Sequence, residues 1–136
     1  IYSWLKSDKE LERSLNSSKQ PKIFNFEIPE NYQKAEYTPL IRITEILLQN
    51  TIYRDGDSEY YRFLFAIETF GNDINTTYTV SEYVNDIIKQ HNGRVISRDL
   101  SKDKELGLFN QMNEYIICNI LYKIMGKSYK MVVVCR

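Results

Sequence analysis

Apolar and polar residues alternate through two neighbouring runs in the middle of the chain, a pattern typical of half-buried β-strands. The run from Glu59 to Thr69 is the clearer of the two, and its apolar positions are Tyr61, Phe63, Phe65 and Ile67. The run from Leu40 to Tyr53 is rich in β-branched residues. Between them lies Asp55-Gly56, a preferred pair for a type I′ turn. We therefore predict a hairpin that pairs Leu48 with Phe63, Ile46 with Phe65 and Thr44 with Ile67.

The segment from Tyr115 to Arg136 predicts a second hairpin. With Gly126-Lys127 as its two-residue turn, one face of the strand pair is wholly apolar and Cys118 lies opposite Cys135. With Met125-Gly126 as the turn, Cys118 lies opposite Val133 and the apolar face is retained. Such a division into two faces is what a half-buried antiparallel pair requires.

Two helices are predicted from capping boxes that precede apolar residues at helical spacing. The first box, Ser7 with Glu10, begins a helix from Asp8 to Asn16. The second, Thr79 with Glu82, begins a helix that stops at Gly93. The buried stripe of this second helix is expected to be Tyr83, Val84, Ile87 and Ile88.

The rest of the chain adds two short strands and two loops. A strand from Lys22 to Ile28 ends at Pro29, and a polar loop follows. A short strand from Arg94 to Ser97 precedes a charged run, Arg98 to Glu105, that we interpret as a solvated loop. The expected fold is α+β, with a mostly antiparallel sheet of about five or six strands. An N-terminal helix and one mid-chain helix pack on it, in a single domain over residues 1–136.

Composition and charge narrow the classes of partner. The chain of 136 residues is 43% hydrophobic and 26% charged, values that are ordinary for a globular domain. Its 18 basic and 18 acidic residues cancel, whereas a nucleic-acid-binding protein normally carries a basic excess. The apolar runs are much shorter than the ~18 residues of a membrane-spanning helix. We expect neither a nucleic-acid partner nor a membrane-spanning segment.

The motifs of common catalytic and metal sites are missing from the sequence. It contains neither a Gly-x-Ser-x-Gly elbow nor a glycine-rich phosphate loop. Two cysteines and the single histidine, His91, are too few for a four-ligand zinc site. Asp55, Asp57 and Glu59 cluster at a turn but lack the longer ligand pattern of an EF-hand. We therefore predict no catalytic, cofactor or metal residues, and we interpret His91 as a structural residue near a helix end.

The two cysteines admit two interpretations. A disulfide between Cys118 and Cys135 would fit an oxidising compartment and would contribute on the order of 3 kcal/mol. Two buried free thiols, acting as small apolar side chains, would fit the cytosol. The chain begins at Ile1 without an initiating methionine, which indicates that a preceding segment was removed by processing or by truncation. An export signal or anchor in that segment would favour an exported or cell-envelope protein.

Tyrosine is the over-represented residue, with 11 copies. Aromatic side chains on loops and strand edges are typical of protein-binding surfaces. Ordinary sheet packing, with a biased amino-acid composition, is the alternative interpretation. The residues of the predicted partner-binding surface are Tyr32, Tyr37, Tyr53, Tyr60 and Tyr61.

Three segments together resemble the PsbP-like family. They are Phe24 to Glu30, which ends in Ile-Pro-Glu, Thr79 to Ile88, and Tyr122 to Val134. That resemblance implies an α/β/α sandwich and an accessory, non-catalytic role, and it transfers no functional residue to this chain. Our first hypothesis is a binding or accessory domain that acts through protein-protein contacts. The alternative is a small-ligand-binding domain, or an enzyme whose site is scattered in sequence.

Overall fold

A six-stranded sheet and three α-helices make up the part of the chain that is described. The computed structural model describes residues 1–15, 20–52, 58–104, 107–124 and 127–133, and for 45–52, 58–62, 118–124 and 127–133 only the backbone. The helices are α1 (Tyr2–Ser7), α2 (Lys9–Leu15) and α3 (Ile74–Gln90). The strands are β1 (Ile23–Asn25), β2 (Leu40–Ile52), β3 (Ser58–Gly71), β4 (Arg94–Lys102), β5 (Phe109–Ile124) and β6 (Lys127–Val133). This is the α+β fold that the sequence predicts.

The sheet has the strand order β1-β2-β3-β5-β4, and β6 also pairs with β5. Strand β1 runs parallel to β2, and the other strand pairs are antiparallel. Strand β5 is long enough to carry two partners in tandem on its outer side. Strand β4 pairs with residues 109–116 of β5, and β6 pairs with residues 118–124.

The main core lies between the helices and one face of the sheet. Phe65, Ile67, Tyr115 and Ile117 contribute to it from β3 and β5, and their side chains are almost fully buried. The helices cover them with an apolar stripe formed by Leu5, Leu11, Leu15, Val80, Val84, Ile87 and Ile88. A smaller apolar cluster, Ile28, Leu40, Phe70 and Leu108, forms separately from this core.

The central hairpin is confirmed, and its predicted register is right for one half of β2. Leu48 lies opposite Phe63, as predicted. A bulge between Glu45 and Leu47 then shifts the pairing by one residue. Ile43, and not Thr44, therefore lies opposite Ile67, so that Ile41 and Ile43 enter the main core. The predicted Asp55-Gly56 turn lies outside the described residues.

The terminal hairpin is confirmed with the second of the two predicted registers. Ile124 pairs with Lys127, and Cys118 pairs with Val133. The register that placed Cys118 opposite Cys135 is therefore wrong, because the pairing is displaced by two residues. Cys135 itself lies outside the described residues.

Both predicted helices exist, but each begins at an aspartate that the predicted capping boxes overlooked. Asp8 accepts a hydrogen bond from the backbone N–H of Leu11 at 2.9 Å, so α2 starts after Asp8 and not after Ser7. Asp73 accepts one from the N–H of Thr76 at 2.8 Å and caps α3 six residues before the predicted cap, Thr79. The short helix α1 was not predicted.

The end of α3 is close to the prediction. Gln90 is its last residue, and the left-handed position that follows is occupied by Asn92, with φ +62°. Gly93 allows a close approach, because a Cβ atom there would lie 2.3 Å from Cγ2 of Ile88. Of the predicted stripe, Val84, Ile87 and Ile88 are buried, while Tyr83 is only partly buried.

Two strand boundaries differ from the prediction. Strand β1 stops at Asn25 because the next residue, Phe26, has a left-handed backbone with φ +65°. Strand β4 continues to Lys102 through most of the charged run that was interpreted as a loop, because the backbone of β5 is available to pair with it. Its side chains are mostly exposed, as predicted for that run.

Candidate functional site

Two of the five predicted surface tyrosines pack against each other beside the smaller apolar cluster. The rings of Tyr32 and Tyr37 meet edge to face with centroids 5.5 Å apart, and Tyr32 lies 5.5 Å from the ring of Phe24. Lys22 donates a hydrogen bond from Nζ to the carbonyl oxygen of Tyr37, and burial lowers the pKa of this lysine. Both tyrosines are half-buried, and together with Phe24 they pack against the smaller apolar cluster.

The other described tyrosines of the predicted surface do not pack against this cluster. In the backbone of β3, Tyr60 pairs with Thr51 and Tyr61 pairs with Asn50. Leu40, which belongs to the smaller apolar cluster, lies eleven residues from Thr51 along β2, and this corresponds to roughly 35 Å of strand. Tyr53 lies outside the described residues. The four described tyrosines of the predicted surface therefore fall into two separated pairs, and their role in partner binding stays a prediction.

The cysteines are placed only in part. Cys118 lies in β5, where its backbone also pairs with Arg62 of β3. Cys135 is outside the described ranges, so the disulfide and the free-thiol interpretations both stay predictions.

An amphipathic cavity of about 290 Å³ opens beside the smaller apolar cluster. Its apolar lining is Ile28, Leu40, Phe70 and Leu108, and its polar lining is Gln33, Arg42, Asp103 and Asn110. Arg42 donates from Nε to Oε2 of Glu68 at 2.5 Å, and its Nη2 is also 2.5 Å from that oxygen. Asn110 donates from Nδ2 to Oε1 of the same carboxylate at 3.1 Å.

One polar atom at this cavity is unsatisfied. Oδ1 of Asn110 is buried and has no hydrogen-bond partner within the described residues. A buried carbonyl oxygen without a donor costs about 1–3 kcal/mol, so a ligand that donates an N–H or O–H there would recover this energy. The alternative hypothesis of a small-ligand-binding domain would have its site here.

The ion pair of Arg42 with Glu68 was missed by the sequence analysis because of the β-bulge. Asn110 was missed because its strand, β5, meets β3 only through the topology of the sheet. Arg42 lies directly opposite Glu68 in the hairpin, an arrangement that favours opposite charges. In the predicted register, Arg42 would have faced Thr69 instead. Shifting the predicted pairing of this half of β2 by one residue would have placed Arg42 opposite Glu68.

A polar network lies beneath α3 in the main core. Asn113 donates from Nδ2 to the hydroxyl of Ser81 at 2.8 Å and to that of Tyr115 at 3.1 Å. Gln111 donates to Oδ1 of Asn113 at 3.1 Å. Burial raises the pKa of Tyr115 to about 12, so the phenol stays protonated at neutral pH. This network is inside the core and is a structural feature rather than an accessible site.

His91 takes part in a contact between two helices. Its ring stacks on Trp4 of α1, with centroids 3.9 Å apart and planes at 13°. Its Nδ1 lies 3.0 Å from the carbonyl oxygen of Ile87. The histidine therefore joins α1 to the end of α3, in agreement with the structural role expected from sequence.

The outer edge of β2 is an unpaired strand edge, within the described residues, beside an apolar groove. Strand β1 pairs only with Ile41, Arg42 and Ile43. Within the described residues, no strand lies on this side of residues 44–52. Beside the edge is a groove of about 270 Å³ lined by Ile1, Tyr2, Asn25, Phe26, Ile43, Phe63 and Phe65. The side chain of Phe26 is 60% exposed there.

Membrane-spanning helices and metal-ligand clusters are both missing from the described part of the chain. None of the helices there is long and apolar enough to cross a membrane. The histidine, cysteine, aspartate and glutamate side chains of the described residues do not form a group of three or more that could hold a metal ion.

Comparison with known proteins shows a shared fold at low sequence identity. No family model matches the sequence, and no curated protein matches it. A chain from the virion of a native gene transfer agent particle has a similar structure, with a TM-score of 0.57. The similarity covers 85% of this chain and 87% of that chain, at 12% identity. It is a likeness of fold, and nothing in these comparisons tests the PsbP-like resemblance.

Proposed function

We propose that this protein is a non-catalytic structural component of a multiprotein particle and that it acts through protein-protein contacts. The observation that carries the proposal is the similarity of fold, over most of both chains, to a chain of a virion particle. The accessory role that the PsbP-like resemblance implies belongs to the same functional class.

Exposed apolar side chains support a role in assembly. The described residues include five large apolar side chains that are 44–60% exposed: Phe26, Ile74, Tyr78, Ile96 and Leu100. Phe26 adjoins the unpaired edge of β2, while Ile96 and Leu100 belong to β4 at the opposite edge. Apolar residues at unpaired edges are suited to contacts with other chains.

The small-ligand hypothesis is the second candidate, and the unsatisfied Oδ1 of Asn110 is the observation that favours it. We rank it second because Arg42, which lines this cavity, is neutralised by its ion pair with Glu68, an arrangement that is suited to binding rather than to proton transfer. Ligand binding in this cavity would accompany the assembly role and would not replace it.

The proposal is tested by sedimentation of the tagged full chain from its source cells and from their medium. We expect the chain to travel with a particle far larger than a 136-residue protein, and to do so after detergent has dissolved any vesicles. Gold labelling of the tag should then decorate a regular particle in electron micrographs. Recovery of the chain only at the position of the free protein would contradict the proposal.

A further inference from the structure

The edge of β2 has only some of the devices that usually protect an edge strand, because it contains a β-bulge between Glu45 and Leu47 but few charges and no proline. An unpaired edge presents backbone N–H and C=O groups, and natural edges are commonly guarded by charges or by proline. Residues 44–52 contain one charged residue, Glu45, and no proline. The last hydrogen bond between the β1 segment and β2 runs from the N–H of Phe26 to the carbonyl oxygen of Ile43 at 2.8 Å. Beyond this bond the edge is open within the described residues.

The opposite edge of the sheet offers a strand of the same length. Strand β4 covers the nine residues from Arg94 to Lys102 and is exposed along most of its length. Two apolar side chains on it, Ile96 and Leu100, are each 44% exposed. These are the kind of side chains that the groove beside Phe26 is suited to bury.

The two edges are also complementary in charge. The open part of β2 and the turn beside it carry Glu27 and Glu45. Strand β4 carries three basic residues, Arg94, Arg98 and Lys102, against one acidic residue, Asp99. Arg98 is ion-paired with Glu82 of α3 at 2.6 Å, so the net charge of this edge is positive by one. Opposite net charges on two surfaces favour their association and suppress pairing of either surface with itself.

Strand direction decides how two copies would meet. Strand β2 is antiparallel to β3, β3 to β5, and β5 to β4, so β2 and β4 run in opposite directions within one copy. A second copy in the same orientation therefore presents its β4 antiparallel to β2, the more common pairing in proteins. This copy is also displaced along the strands, because across the sheet β4 lies level with residues 40–47 of β2, and β1 covers residues 41–43 there.

We propose that the β4 edge of a second copy of this chain adds to the open β2 edge, residues 44–52, with an apolar side chain of β4 seated in the groove at Phe26. The sheet then continues from copy to copy through a head-to-tail contact, which can repeat. Backbone hydrogen bonds supply affinity in such strand addition, and the groove supplies specificity. The inference rests on the proposed function and names the partner and the surface.

The experiment measures self-association of the purified full chain by sedimentation velocity, with reductant present to exclude disulfide-linked dimers. We expect the mean mass of the wild-type protein to rise with concentration. Phe26→Asn and Leu100→Asn should each weaken association by about tenfold or more, because each removes an apolar contact from one of the two edges. Ile74→Asn, which changes an exposed apolar residue on neither edge, is the matched control and should associate as the wild type does.

Mixing the two edge variants tests the head-to-tail arrangement. Phe26→Asn retains an intact β4 edge, and Leu100→Asn retains an intact β2 edge. Their equimolar mixture should therefore form dimers and nothing larger, while each variant alone stays monomeric under the same conditions. Hydrogen exchange should slow at residues 44–52 and 94–102 in concentrated wild-type protein.

Three results would overturn the inference. They are a wild-type chain that is monomeric up to about 1 mM, a mixture of edge variants that stays monomeric, and slowed exchange at one edge without the other. Thermal unfolding of each variant verifies that it is folded. A chain that sediments with a particle in cells but does not self-associate would refute this inference alone. A chain that self-associates but is never found in a particle would refute the proposed function alone.

Discussion

At the scale of single residues, four polar side chains in the core form hydrogen bonds with one another. Asn113 donates to both Ser81 and Tyr115, and it accepts from Gln111. Hydrogen-bonded polar groups in a core select one arrangement, because any other packing would leave donors and acceptors unpaired. This network therefore orients α3 on β5, while burial of the apolar stripe of α3 supplies most of the free energy that holds the helix on the sheet.

The elevated pKa of Tyr115 predicts a dependence of stability on alkaline pH. Burial raises this pKa from 10.0 to about 12, so between these values the folded protein holds a proton that the unfolded chain has released. The stability that this group contributes is complete below about pH 10 and is lost as the pH rises towards 12. The loss amounts to at most about 1.4 kcal/mol per pH unit.

The measurement is chemical denaturation of the wild type and of Tyr115→Phe from pH 8 to 11.5. The variant should be less stable by about 1 kcal/mol at pH 8, through the lost hydrogen bond, and should lose less stability above pH 10. Tyr78→Phe, at a tyrosine that is 52% exposed, should show the wild-type decline. Parallel declines in the wild type and in Tyr115→Phe would contradict the assignment of the effect to this residue.

At the scale of elements, α1 depends on the surface to which it is docked. A helix of six residues is too short to be stable alone in water. It is held by Leu5, which is 1% exposed, and by the stacking of Trp4 on His91. Its presence therefore follows from tertiary packing and not from local sequence, which is why the sequence analysis did not find it.

Weakening this docking should be visible in the fluorescence of the only tryptophan. Leu5→Ala should lower the free energy of unfolding by about 3 kcal/mol, because it leaves a cavity beneath α1. The emission of Trp4 should shift to the red before the rest of the protein unfolds, since the ring leaves the surface of His91. Ser3→Ala, at an exposed position of the same helix, is the control and should change neither quantity. A red shift that coincides with global unfolding in Leu5→Ala would show that α1 does not detach separately.

Periodicity and turn chemistry were sufficient to predict the two hairpins, the mid-chain helix and the α+β class. The pairing of Leu48 with Phe63 follows from local alternation. The ion pair of Arg42 with Glu68 could not be found in this way, because a bulge leaves the alternation intact on both sides and only changes its phase. The groove at Phe26 was equally inaccessible, since it is formed by residues of α1, β1, β2 and β3 that are distant in sequence.

At the scale of the whole molecule, stability should be distributed from the centre of the sheet outwards. Strands β3 and β5 each have neighbours on both sides, and α3 covers one face of both. Helix α1 and strand β1 lie at the periphery and make fewer contacts. Regions of this kind open locally at a lower free energy than the core.

Native-state hydrogen exchange checks this distribution. We expect the slowest amides in residues 63–70 of β3 and 111–117 of β5, where exchange should require global unfolding. The amides of α1 should exchange through local opening, with a free energy that denaturant barely changes. Protection of α1 equal to that of β3 would contradict this expectation.

The bulge between Glu45 and Leu47 has a consequence for how sequences of this fold align. It places the two halves of β2 in opposite phase relative to β3, so one residue there is an insertion in the middle of a strand. A related sequence without the bulge would keep the same core only if it were one residue shorter at that point. Single-residue gaps are therefore expected inside this strand, although sequence alignments usually penalise gaps within strands. Deletion of Ile46 should accordingly be tolerated better than deletion of Ile43.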